Sequence, residues 1–316
     1  MSKNNARNRQ QARQQKKRQQ QYFWIGAGVV SVVAVIGVLL LTAADSRTSV
    51  SFPDIHGMSF SGDGEELWVA THTGLVAYEN GDWSKPGLPV NDYMGYSGTE
   101  NGFFSSGHPG AGSRLPNPIG LVSSDDHGAT VNTINFLGES DFHVMGVSYY
   151  DDNVYVINPA SNALLSVGLH HSLDGGELWQ ESEAGGLTAA PIQLAVHPSE
   201  AGVVAAATQR GLFLSNDFGD SFTQVDDGGI VSSVAFDPGG ERLLFGFDTL
   251  FSYALSDGQI TPLPTTPEID ENQAILYIAV NPASDELAFA TSDRNIFFAS
   301  NGGQSWQQIG ENGVSR

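Results

Sequence analysis

Five side chains able to do chemistry hold corresponding places in three successive stretches. His56, Asp92 and His143 each open a short apolar run: His56-Gly57-Met58-Ser59-Phe60, Asp92-Tyr93-Met94-Gly95-Tyr96 and His143-Val144-Met145-Gly146-Val147. His72 and His108 each close the run that follows, in Thr71-His72-Thr73-Gly74 and Ser106-Gly107-His108-Pro109. Neutral imidazoles beside a carboxylate suit a borderline divalent ion such as zinc, copper or nickel, so His56, His72, His108 and His143 are candidate metal ligands. The same groups can serve as general bases or hydrogen-bond a polar ligand. Asp141, two residues before His143, is placed to orient its imidazole. Asp92 and Asp141 are the candidate catalytic carboxylates. The stretch 107–118 is longer than a turn needs and carries Arg114, a candidate anion contact; unstructured segments of that length are commonly functional. The competing reading is that these histidines satisfy strand-end backbone groups around a wet channel.

A second pattern recurs more often. Ser215-Asn216-Asp217-Phe218-Gly219-Asp220-Ser221-Phe222 has counterparts at Ser172–Trp179 and Ser124–Val131, and a degenerate one at Ala299–Trp306. Its Asp accepts hydrogen bonds from backbone N–H groups of its own turn, Gly supplies a positive φ, and the aromatic residue pins the turn to a sheet. Asp126, Asp174, Asp217 and Asn301 are therefore turn staples rather than catalytic acids. His127 lies inside one such turn, and His170, His171 and His197 have no partner set; all four read as structural. The pattern resembles the Asp-box (BNR) repeat of sialidases, sortilin-type receptors and photosystem II assembly-factor-like bacterial propellers. The resemblance implies a β-propeller and, for some members, glycoside hydrolysis.

The elements that must position these groups repeat every 35–50 residues, the period of propeller blades. First strands continue as Ile192–Val196, Ser232–Phe236 and Leu276–Val280; second strands are expected over 66–71, 153–157, 202–207, 242–247 and 286–291. Six units fill residues 54–311, predicting an all-β, six-bladed propeller, with seven blades or an incomplete ring the alternatives. No segment after residue 44 sustains a 3.6-residue apolar period. In such a blade the start of the first strand and the end of the second share one face, and the Ser-x-Asp turns lie on the other. His56, His72, Asp92, His108 and His143 then converge on one face of three adjacent blades, where the other three offer only Ile192, Ser232 and Leu276.

Charge divides the chain sharply. Residues 1–44 hold seven basic residues and no acid; everything beyond holds the other seven basic residues and all 35 acids, a formal charge of −28 (7 − 35). That surface repels nucleic acid and anionic membranes. Residues 1–21 read as a disordered basic tail. Residues 22–44 form an apolar run long enough to span a bilayer, with basic residues before it, which predicts a signal-anchor with a cytoplasmic N-terminus and the rest outside. Cleavage near Thr42-Ala43-Ala44 would make the protein secreted. Residues 45–53 read as a linker to the propeller at 54–316. With no cysteine, disulfides and thiolate chemistry are excluded.

Two functional classes follow. One is a cell-surface binding or assembly module for a glycan, peptide or protein. The other is a glycoside hydrolase, which needs two carboxylates flanking the scissile bond. The three arginines that grip the sugar carboxylate in sialidases have no counterpart set here, which argues against that activity.

Overall fold

A computed structural model describes residues 49–85 and 90–316. Six antiparallel sheets follow one another in chain order, each with its strands ordered consecutively. Their first strands are Gly57–Phe60, Asp92–Thr99, Met145–Val147, Pro191–Val196, Ser233–Phe236 and Ile275–Val280. These strands touch in sequence, and the last touches the first, so the ring closes. The protein is an all-β, six-bladed β-propeller. The expected basic tail and apolar anchor, residues 1–44, lie outside the described residues. Among the described residues, no helix is long and apolar enough to cross a membrane.

Alternation along the second strands explains why they read as unbroken apolar runs. In Leu67–Thr71 every residue is buried. Leu67 and Val69 pack toward blade six with Ala288, Ala290 and Ile296, whereas Trp68 and Ala70 pack toward blade two with Tyr93 and Phe103. Both faces of each sheet are covered by a neighbouring blade, so both members of the two-residue period are apolar. Crowding at the axis demands small residues in the first strands. A Cβ on Gly95 would collide with the Phe142 carbonyl of blade three.

The Ser-x-Asp turns fold as their residue types require. Asp217 Oδ1 accepts from Ser215 Oγ at 2.7 Å and from the Ser221 N–H at 2.9 Å, while Ser215 Oγ accepts from the Gly219 N–H at 3.0 Å. Asp174 and Asp126 accept the corresponding bonds from Leu178 and Thr130. In the degenerate copy Asn301 Oδ1 takes the Ser305 N–H at 3.0 Å. Two consecutive left-handed residues turn the chain, Phe218 (φ 63°) and Gly219 (φ 82°) in blade four.

Residues 50–53, assigned to the linker from sequence, run along the outer edge of blade six. Ser51 bridges Val314, the Phe52 N–H donates to the Gly313 carbonyl, and the Ser315 N–H donates to the Val50 carbonyl. Phe52 is fully buried against Trp83, whose ring centroid is 5.1 Å away.

Candidate functional site

The face bearing the first-strand starts carries the predicted groups, in a register that sequence alone misjudged in one blade. Gly57 pairs with Ala70 in blade one, and Gly95 pairs with Ser106 in blade two. A bulge at Met94 intervenes between Tyr93 and Gly95. Met94, rather than Asp92, is therefore the counterpart of His56 and His143. Asp92 lies two residues earlier and matches Asp54 and Asp141. Blades one to three thus share an Asp–apolar–His/Met pattern: Asp54-Ile55-His56, Asp92-Tyr93-Met94 and Asp141-Phe142-His143. The central residues Ile55, Tyr93 and Phe142 are buried between blades and anchor the flanking polar pair at the mouth. By the same register, blades four to six have Ala190, Ile230 and Ala274 in place of the aspartates.

These aspartates meet histidines at the end of the preceding blade's second strand. Asp92 Oδ2 lies 2.7 Å from His72 Nδ1, and Asp141 Oδ2 lies 3.2 Å from His108 Nε2. The same inter-blade contact is therefore made twice, from blade one to two and from two to three. Asp92 and His108 are partners in one strand pair, yet each engages a different neighbouring blade. Asp54 has no such imidazole in blade six and turns to His72 Nε2, 3.4 Å away.

The first-strand histidines complete each cluster. His56 Nε2 lies 3.2 Å from His72 Nδ1 and 3.6 Å from Asp92 Oδ1. His143 Nε2 lies 2.6 Å from Asp141 Oδ2. The side chains of Asp92 and Asp141 are each 17% exposed and sit beneath His72 (43%) and His143 (55%), whereas His56 is more buried still at 9%. One oxygen of each carboxylate, Asp92 Oδ1 and Asp141 Oδ1, is buried without a hydrogen-bond partner. Burial and the neighbouring His72 hold the His56 pKa below the ordinary histidine value, against the opposing pull of Asp54 and Asp92.

His56 and His143 line one depression at the axis, completed by Tyr96, Ile192, Gln193, Ser232, Leu276 and Tyr277 from the other blades. Imidazoles and carboxylates gather on the side of blades one to three; blades four to six present Ile192, Leu276 and Tyr277 together with the polar Gln193 and Ser232. The stretch 107–118 contributes Asn117, whose Oδ1 lies 2.7 Å from His108 Nδ1. Arg114 is exposed and forms no ion pair among the described residues.

The four other histidines are committed elsewhere. His127 packs at a 38° tilt against Trp68, with ring centroids 4.6 Å apart, inside its turn. His170 Nε2 meets the Ser166 carbonyl, His171 Nδ1 meets Ser182 Oγ, and His197 Nε2 meets the Gly240 carbonyl. Sequence reasoning missed Asp54 and Asn117. The recurrent spacing of Asp two residues before His was the available signal for Asp54; nothing local marks Asn117.

No family model matches the chain, and no curated protein matches it. Solved structures do. The GH74 xyloglucanase from Xanthomonas campestris is similar with a TM-score of 0.54 and 13% identity, over 83% of this chain and 46% of that one. The GH74 enzyme of Niastella koreensis gives a TM-score of 0.54 and 15% identity, over 85% and 46%. The Cps50 (Swd1) β-propeller domain of Myceliophteria thermophila gives 0.54 and 9%, over 84% and 89%. The likeness is one of fold. The chain spans less than half the length of either GH74 enzyme.

Proposed function

We propose that the protein is a binding module whose ligand surface is the mouth of blades one to three, acting without turnover on a glycan, peptide or protein at the cell surface. One observation carries this reading: four histidines and three aspartates gather on one half of the rim, opposite Ile192, Leu276 and Tyr277 on the other. A half-polar, half-apolar concavity offers hydrogen bonds and a stacking surface together, the combination that ligand sites of folded domains use. Residues 22–44 are the proposed membrane anchor, with the propeller outside the cell. Asp126, Asp174, Asp217 and Asn301 are proposed to be structural.

The second reading is a glycoside hydrolase using Asp92 and Asp141, each of which keeps one oxygen free of donors. Against it, each carboxylate's other oxygen faces two imidazoles or one at hydrogen-bond distance, rather than open space where a glycosidic oxygen could receive a proton. Immobilised full chain challenged with polysaccharides, xyloglucan among them, and with an extended-peptide library tests both. The binding reading predicts retention of a panel member, weakened at least tenfold by Asp92→Ala or His143→Ala, with no reducing sugar released. Sugar release abolished by Asp92→Ala would replace it with the hydrolase.

A further inference from the structure

We infer that the mouth holds two divalent transition-metal ions, one between Asp54, His56 and His72 beside Asp92, the other between His108, Asp141 and His143. The inference rests on the mouth being a binding surface and names what that surface takes first. In each triplet the ligating atoms lie within 4.8 Å of one another. The 3.2 Å separation of His56 Nε2 and His72 Nδ1 is close to the edge of a tetrahedron with metal–nitrogen bonds of about 2.0–2.1 Å, roughly 3.3 Å. In the second triplet Asp141 Oδ2 is 2.6 Å from His143 Nε2 and 3.2 Å from His108 Nε2.

Protons on neutral rings leave these contacts unsatisfied. A neutral imidazole carries one N–H. If His108 Nδ1 donates to Asn117 Oδ1, its Nε2 lone pair points at the Asp141 carboxylate, a repulsive contact unless a cation lies between them. His72 presents both ring nitrogens to carboxylates, Nδ1 to Asp92 and Nε2 to Asp54, so one of them faces an anion bare. The buried, donorless oxygens Asp92 Oδ1 and Asp141 Oδ1 mark the same deficit of positive charge. Among the described residues, no lysine or arginine pairs with Asp54, Asp92 or Asp141. Two imidazoles and a carboxylate favour zinc, nickel or copper over the all-oxygen shells of calcium and magnesium. Asn117 on the far nitrogen of His108 fixes that ring as partners behind metal-bound histidines do.

The test uses the full chain, stripped with a chelator and dialysed against zinc chloride, with bound zinc counted by elemental analysis. Two zinc ions per chain are expected, one in His72→Gln, one in His143→Gln and none in the double variant. His170→Gln, an imidazole remote from the mouth, keeps two. No zinc or a single ion on the wild type, or two ions surviving the double substitution, overturns the inference and leaves protonated imidazoles as the source of charge. Far-UV circular dichroism checks each variant's fold. Should a variant unfold, the wild-type count and the rise in wild-type melting temperature with zinc decide alone. No zinc bound after dialysis while a glycan or peptide is still retained removes the ions but not the binding reading; zinc bound with no panel member retained does the reverse.

Discussion

Asp92 joins two blades through a single carboxylate, and its loss reaches further than one hydrogen bond. Asp92→Ala leaves His72 Nδ1 without its 2.7 Å partner and opens the blade-one to blade-two contact at the mouth. The His72 side chain is 43% exposed, so water replaces the lost partner and the cost should stay below about 1 kcal/mol, which urea unfolding would read as a slightly lower midpoint at unchanged slope. His56 carries a pH signature. Its folded-state pKa lies below the ordinary value, so as pH falls through about 6.5 the unfolded chain takes up a proton that the folded chain resists. Stability from this residue is present above that pH and declines below it. His171, depressed by burial, adds to the same decline. His56→Gln should make the fall in melting temperature between pH 7.5 and 5 shallower without abolishing it. An unchanged pH profile would show that His56 titrates alike in both states.

At the scale of the element, the turns and the innermost strands make separate claims. Asp126, Asp174 and Asp217 are held below the ordinary carboxylate range, the first two chiefly by backbone N–H donors and Asp217 by Ser221 Oγ. Their contribution is complete above the unfolded value near 4 and disappears as pH drops through the folded one. Asp217→Ala should therefore lower the melting temperature at pH 7, and the gap to wild type should narrow toward pH 2. Gly95→Ala places a methyl against the Phe142 carbonyl and should cost about 1–3 kcal/mol in equilibrium unfolding. Second strands were legible in the sequence because both faces are buried and their apolar runs are continuous: that of blade four, Val204–Thr208, overlaps the expected 202–207. The register of blade two was not. A bulge adds one unpaired residue and leaves no mark in side-chain type, so Asp92 read as the counterpart of His56 when its structural equivalents are Asp54 and Asp141. The histidine pairs of the mouth were legible from strand order. The inter-blade pairing of His72 with Asp92 and of His108 with Asp141 was not, because it depends on how adjacent sheets twist past one another.

At the scale of the propeller, the described residues from 49 onward form a closed ring with its histidine and aspartate clusters on half of the rim. Removing residues 312–316 deletes the strand on which Val50–Phe52 rest and uncovers buried Phe52. Such a truncation should lower the melting temperature and speed proteolysis near residue 50, with little change at the mouth.

That edge pairing also orders events in time. Val50 and Ser315 are separated by 265 positions, so no ribosome can release a closed circle until almost the last residue described has emerged. Until then, the flank of blade one that will meet blade six is bare, and Phe60 and Tyr78 face water. Synthesis therefore exposes a sticky, unpaired margin until blade six has been made, and a chaperone or a neighbouring nascent chain would find it there first.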